Sequence, residues 1–132
     1  MRFIYIVIVA IILCACSPID IDAAQNNVDT FHQMYQENKY SNIYVDSSEI
    51  LRKSISEEGF IKLLTEAKDK DLGVFKKNTL ISKKKIYHLI ADNEVLLIYT
   101  SEFSKRNVNE TFLFIIVDGE LKLKGYNYTS IN

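Results

Sequence analysis

Thiols are nearly absent from this chain. Among its 132 residues there are two cysteines, Cys14 and Cys16, both at the end of the N-terminal apolar run. Their spacing is not that of a CxxC redox motif. Residues 17–132 hold no cysteine, so the body has no internal disulfide, no thiolate metal site and no cysteine nucleophile. Its fold then rests on packing alone. A charge excess is missing as well. Sixteen basic and 17 acidic residues leave a formal net charge of −1, which is not the balance of a nucleic-acid-binding protein. No second apolar run approaches the about 20 residues that a bilayer span needs. Internal repeats and low-complexity segments are lacking too. A chain this short holds one domain and leaves no room for a large two-domain enzyme.

What is present begins with a greasy terminus. The chain is 48% hydrophobic, but unevenly so, because within residues 1–15 only Arg2 lies outside the apolar set. Arg2 supplies a positive start, and Phe3 to Leu13 is an unbroken apolar run. That run fits the roughly 7–15-residue apolar region of a secretory signal peptide. Leu13-Cys14-Ala15-Cys16 then resembles a bacterial lipobox, with an aliphatic residue at −3, small residues at −2 and −1, and cysteine at +1. The resemblance implies a diacylglyceryl group on the Cys16 thiol and cleavage between Ala15 and Cys16. A further acyl chain is often added to the new amine. Two or three chains anchor firmly where one binds only marginally. Ser17 at +2, rather than Asp, leans towards the outer membrane facing the periplasm if the organism is diderm. The expected organisation is a signal peptide over 1–15, a lipidated tether over 16–22 and one domain over 23–132.

The body reads as helices first and strands after. Val28, Phe31 and Tyr35 share one face of a helix expected from Ala23 to Asn38. Tyr40 to Leu51 carries one or two short helical turns. Ser54 or Ser56 caps a helix from Glu57 to Leu72, with Phe60, Leu63, Leu64 and Ala67 as its stripe and Gly73 as its stop. From Val74 the period changes to two. Strands are expected within Val74–Ser82, at Ile86–Ala91, at Glu94–Phe103, at Thr111–Val117 and at Glu120–Ile131. Asp118-Gly119 marks a two-residue hairpin. Helices followed by an antiparallel meander indicate an α+β fold, with two or three N-terminal helices on a curved four-stranded antiparallel sheet.

The runs Leu97-Ile98-Tyr99-Thr100-Ser101-Glu102-Phe103, Glu110-Thr111 and Val117-Asp118-Gly119-Glu120-Leu121-Lys122-Leu123-Lys124-Gly125-Tyr126 carry a resemblance. They resemble uncharacterised small bacterial proteins of cystatin-like or nuclear-transport-factor-two-like fold. The likeness covers about residues 25–130. It departs where Leu121 stands at the usual Trp and Leu123 at the following aliphatic position, and both changes keep an apolar face. The resemblance implies fold and envelope location, and carries no activity or cofactor.

Candidate chemistry is sparse. His32 and His88 are the two histidines; they could pair if the first helix crosses the second one's strand, but structural roles are the default. Glu102, Glu110 and Asp118 fall at strand ends or turns, with Glu110 expected to bridge to Lys105 or Arg106. Acid–base isomerases of the related fold keep a carboxylate in a pocket, and no carboxylate here stands out as flanked by apolar strand residues. Lys76, Lys77, Lys83, Lys84 and Lys85 suit either a protected edge strand or contact with anionic headgroups. Lys122 and Lys124 alternate with Tyr126 and Tyr128 as a possible partner surface. The expectation is a lipid-anchored envelope lipoprotein without metal or cofactor, binding an unknown envelope protein or small ligand and no nucleic acid. The alternatives are an isomerase-like pocket enzyme and an immunity or inhibitor lipoprotein.

Overall fold

A computed structural model describes residues 19–131. The signal peptide, the cleavage site at Ala15 and the lipidation site at Cys16 lie outside the described residues. The first helix, α1 (Ile21–Gln36), begins earlier than its apolar spacing indicates. Asp20 caps it by accepting a hydrogen bond from the Ala23 amide at 3.1 Å, and Ile19 is buried. Ile19 to Asp22, expected in the tether, thus belong to the fold. Ala24, Val28, Phe31, His32 and Tyr35 form the buried face of α1.

Two short helices follow, α2 (Tyr40–Asp46) and α3 (Glu49–Ser54), the latter capped by Ser48. Helix α4 (Glu57–Glu66) is capped by Ser56, whose hydroxyl accepts from the Gly59 amide. Its stripe is narrower than the spacing indicates. Phe60, Leu64 and Ala67 are buried, but Leu63 is 58% exposed. The helix widens to a π-helical turn over Ala67–Leu72 and stops at Gly73, where φ is +80°. A side chain there is excluded twice, since a Cβ would also run into the Ser104 hydroxyl.

Four antiparallel strands complete the α+β fold, in the order β1-β2-β3-β4: β1 (Phe75–Ile86), β2 (Glu94–Phe103), β3 (Asn107–Val117) and β4 (Glu120–Ser130). Two strands expected in the 74–91 region are one. β1 runs through Ile86, where Lys85 pairs with Val95, and residues 87–93 form an exposed loop. Alternation alone does not choose between two overlapping strand candidates; the pairing with β2 does. Asp118 and Gly119 both have positive φ and join Val117 to Glu120 in the expected hairpin. All five lysines of the 76–85 stretch sit on β1, which is an edge strand.

The helices cover one face of the sheet. Val95, Leu97, Tyr99, Ser101 and Phe103 of β2 point into that core, as do Val108, Glu110, Phe112 and Phe114 of β3. Each fully buried Phe or Leu contributes about 1.5–3 kcal/mol relative to exposure. A bulge in β4 pairs Leu113 with Gly125 and Phe114 with Leu123. This shifts the alternation by one residue at Lys124. Leu121 and Leu123 before the bulge and Tyr126 and Tyr128 after it thus pack on the same core. Lys122, paired with Ile115, lies on the opposite face, so the expected shared face of lysines and tyrosines does not form. Among the described residues no helix is long and apolar enough to cross a membrane.

Candidate functional site

Among the described residues, Glu110 is a fully buried carboxylate with three side-chain partners. It lies on the core face of β3 between Val108 and Phe112, with no exposure at all. An ionised carboxylate in such a place costs several kcal/mol unless its oxygens are satisfied. Here they are. Oε1 meets His32 Nε2 at 2.7 Å and accepts from the Ser101 hydroxyl at 2.5 Å. Oε2 accepts from the Tyr126 hydroxyl at 2.5 Å. The partners come from α1, β2 and β4, so one carboxylate ties three elements of the fold together.

His32 is closed in on its other sides. Its ring stacks on Phe75 with centroids 3.7 Å apart and planes 5° from parallel. Phe112 meets it edge-on at 5.7 Å. Nδ1 is buried and has no hydrogen-bond partner. In the tautomer that turns the Nε2 proton to the carboxylate, the unpartnered Nδ1 is an acceptor, which costs less than an unpartnered N–H. Tyr126 tilts over Phe31 at 4.7 Å and Phe112 at 5.0 Å, filling the space beside Glu110. Burial, followed by the nearby negative charge of Glu110, pushes the Tyr126 hydroxyl well above its ordinary range. Tyr126 thus stays a neutral donor. Tyr35, raised chiefly by burial, donates to the Gly73 carbonyl at 2.8 Å.

A second histidine–glutamate pair lies at the rim. His88 Nε2 meets Glu94 Oε1 at 2.7 Å, and Lys124 Nζ donates to Glu94 Oε2 at 2.8 Å. The His88 side chain is 37% exposed. The Lys124 hydrogen bond holds the Glu94 carboxyl below its ordinary range, with His88 adding to the effect. A third cluster closes the far end of β3 and β4. Asp71 accepts from Arg106 at 2.7 Å and from the Tyr128 hydroxyl at 2.9 Å, and its pKa is lowered chiefly by the Arg106 hydrogen bond.

These positions correct several expectations. His32 and His88 do not meet; each has its own glutamate. His88 lies in a loop, not mid-strand. Glu110 reaches neither Lys105 nor Arg106; Arg106 pairs with Asp71, and Lys105 Nζ donates to the Asp69 carbonyl. Glu110 is also the apolar-flanked, inward-facing carboxylate that seemed lacking. The signal was Val108-x-Glu110-x-Phe112-x-Phe114, hidden because the strand begins at Asn107 rather than at Thr111. Asp118 sits in the hairpin, and Glu102 pairs with Lys77.

Of the expected partner surface, Tyr126 and Tyr128 use their hydroxyls internally and Lys124 is held by Glu94, while Lys122 lies within reach of Glu120 at 3.5 Å. Residues Lys124 to Tyr128 nevertheless line one wall of a groove of about 440 Å³. Leu51 and Ile55 at α3, and Phe60, Leu63 and Leu64 of α4, line the other. Among the described residues no group of three or more His, Cys, Asp or Glu side chains is placed to hold a metal. The chain matches no protein-family model and no curated protein.

Proposed function

We propose that this protein is a bacterial envelope lipoprotein, anchored through acyl chains on Cys16, whose domain binds another envelope component without catalysis. The observation that carries the binding reading is the groove between α3–α4 and β4. Its helical wall is apolar, Leu63 is left exposed in it, and its β4 wall is braced from behind by the Glu110 and Asp71 clusters. A rigid apolar groove with a polar rim suits the apolar side chains of a partner polypeptide.

The isomerase-like alternative has one observation behind it, the His32–Glu110 pair. A substrate reaching that pair would have to displace Tyr126 or part the His32–Phe75 stack. Glu110 spends both oxygens on three internal partners, which suits a structural role better than proton transfer.

A photo-crosslinking residue at Leu63 tests the binding reading in living cells. A discrete protein adduct is expected there and not from the same residue at Lys77 on the far edge of the sheet. No adduct at Leu63, or the same adducts at both positions, overturns it. The anchor is tested separately. Labelled fatty acid is incorporated into the wild type and not into Cys16→Ala; label persisting in that variant refutes the site.

A further inference from the structure

The loop between β1 and β2 carries apolar side chains into solvent. Leu89 and Ile90 are fully exposed and Tyr87 is 64% exposed. The loop is nonetheless built. The His88 amide donates to Asn93 Oδ1 at 2.9 Å, the His88 ring holds Glu94, and the Ile116 amide donates to the Asn93 carbonyl at 2.9 Å. Its base is fixed while its tip has nothing to pack on, which is the pattern of a surface that meets a partner.

Two further observations say which partner. Lys83, Lys84 and Lys85 lead into the loop, and among the described residues they form no ion pair, whereas Lys77 and Lys124 do. The chain also enters the domain at this end. Ile19 to Ala23 line one surface depression together with Lys85 and Ile116, and Ile116 is the residue that holds the loop at Asn93. Only Ser17 and Pro18 separate Cys16 from Ile19, so Cys16 can lie no farther than about 11 Å from Ile19. A lipid on Cys16 therefore brings the bilayer surface to this end of the domain. Exposed Leu, Ile and Tyr beside unpaired lysines match the apolar boundary and the charged headgroups of such a surface.

We propose that the Tyr87–Ile90 loop and Lys83–Lys85 form a contact surface for an anionic phospholipid bilayer, seating the domain directly on the membrane that holds its anchor. This rests on the lipoprotein reading. The apolar tips enter the headgroup boundary and the lysines lie over the phosphates. Asp20, Asp22 and Glu120 also line the depression and oppose anionic headgroups, so the attraction rests on the three lysines and weakens with salt and with the loss of any of them.

The chain has no tryptophan, so Leu89→Trp places a single reporter in the loop. The lipidated mature protein carrying it is reconstituted into vesicles of phosphatidylglycerol and phosphatidylcholine. The expected result is a blue-shifted emission quenched by acyl-chain-brominated lipid, with little quenching in pure phosphatidylcholine or at high salt. A Leu63→Trp reporter on the groove side stays unquenched. Replacing Lys83, Lys84 and Lys85 by Gln in an unlipidated mature chain weakens binding to the anionic vesicles on the order of 100-fold. Intact mass of each lipidated preparation reads Cys16 acylation independently. An acylated protein with an unquenched Leu89→Trp reporter overturns the contact and leaves the anchor standing. A quenched reporter on an unacylated Cys16 keeps the contact and overturns the anchor. A blue shift that rises with protein concentration in the absence of vesicles assigns the loop to self-association and overturns the proposal.

Discussion

Two histidine–glutamate pairs share one sheet and one distance, 2.7 Å between Nε2 and Oε1, and differ in nearly everything else. His32–Glu110 lies under α1 with side chains 4% and 0% exposed; His88–Glu94 lies at the rim with 37% and 11%. The inner carboxylate has three partners from three elements, and the outer one is shared with a single lysine. The same contact is structural glue where water is excluded and a loop brace where it is not. The difference is one of dielectric and of alternatives: a group at the rim that loses its partner turns to water, and a group in the core has nowhere to turn.

Removing one member of the inner pair is the severest test of that contrast. Glu110→Ala is expected to destabilise the domain by about 3–5 kcal/mol, read from the denaturant midpoint, because it opens a cavity and strands His32, Ser101 and Tyr126. Tyr126→Phe removes only one donor to Glu110 and is expected to cost about 1–3 kcal/mol by the same measurement. A cost below a few tenths would mean that water replaces the lost hydroxyl and that the site is open.

A pH titration of stability sharpens the comparison from the alkaline side. Tyr126, Tyr35 and Tyr99 are all raised by burial, Tyr99 to about 12. The folded state holds them neutral while the unfolded chain ionises near its ordinary value. Their stabilisation is present below pH 10 and falls as pH rises beyond it, by about 1.4 kcal/mol per pH unit for each tyrosine until its folded value is reached. Tyr126→Phe removes its share of that slope. At the rim the effects are smallest. Glu94 as a whole residue is itself 8% exposed, and Glu94→Gln keeps its shape while weakening its bonds to Lys124 and His88, so the expected cost is about 0.5–1.5 kcal/mol near neutrality. The Glu94 carboxyl is depressed in the fold, so its contribution is present above its ordinary value and lost as pH falls through the folded one. The variant therefore flattens the acid limb and leaves the alkaline limb unchanged.

The contrast also marks what was legible in the chain. Val28, Phe31 and Tyr35 at helical spacing, the Ser56 cap and the Asp118-Gly119 hairpin depend on neighbours a few residues away, and the structure follows them. The inner pair joins positions 78 residues apart, and no local pattern announces it. Its one trace was the alternation around Glu110, obscured by placing the strand's start four residues late. The single-residue bulge at Lys124 was equally hidden, since a bulge reverses alternation without changing composition. The 86–91 run reads as a strand because Leu89 and Ile90 are apolar, and their exposure is what the membrane-contact proposal explains.

Because the chain contains two histidines, one in each pair, their reactivity tests the central claim most directly. Diethylpyrocarbonate treatment of the folded protein, followed by peptide mass mapping, is expected to modify His88 readily and His32 only as fast as the domain unfolds. Modification of His32 at a rate comparable with His88 under native conditions would contradict the account, since it would place an accessible histidine–carboxylate pair where a sealed structural one is described.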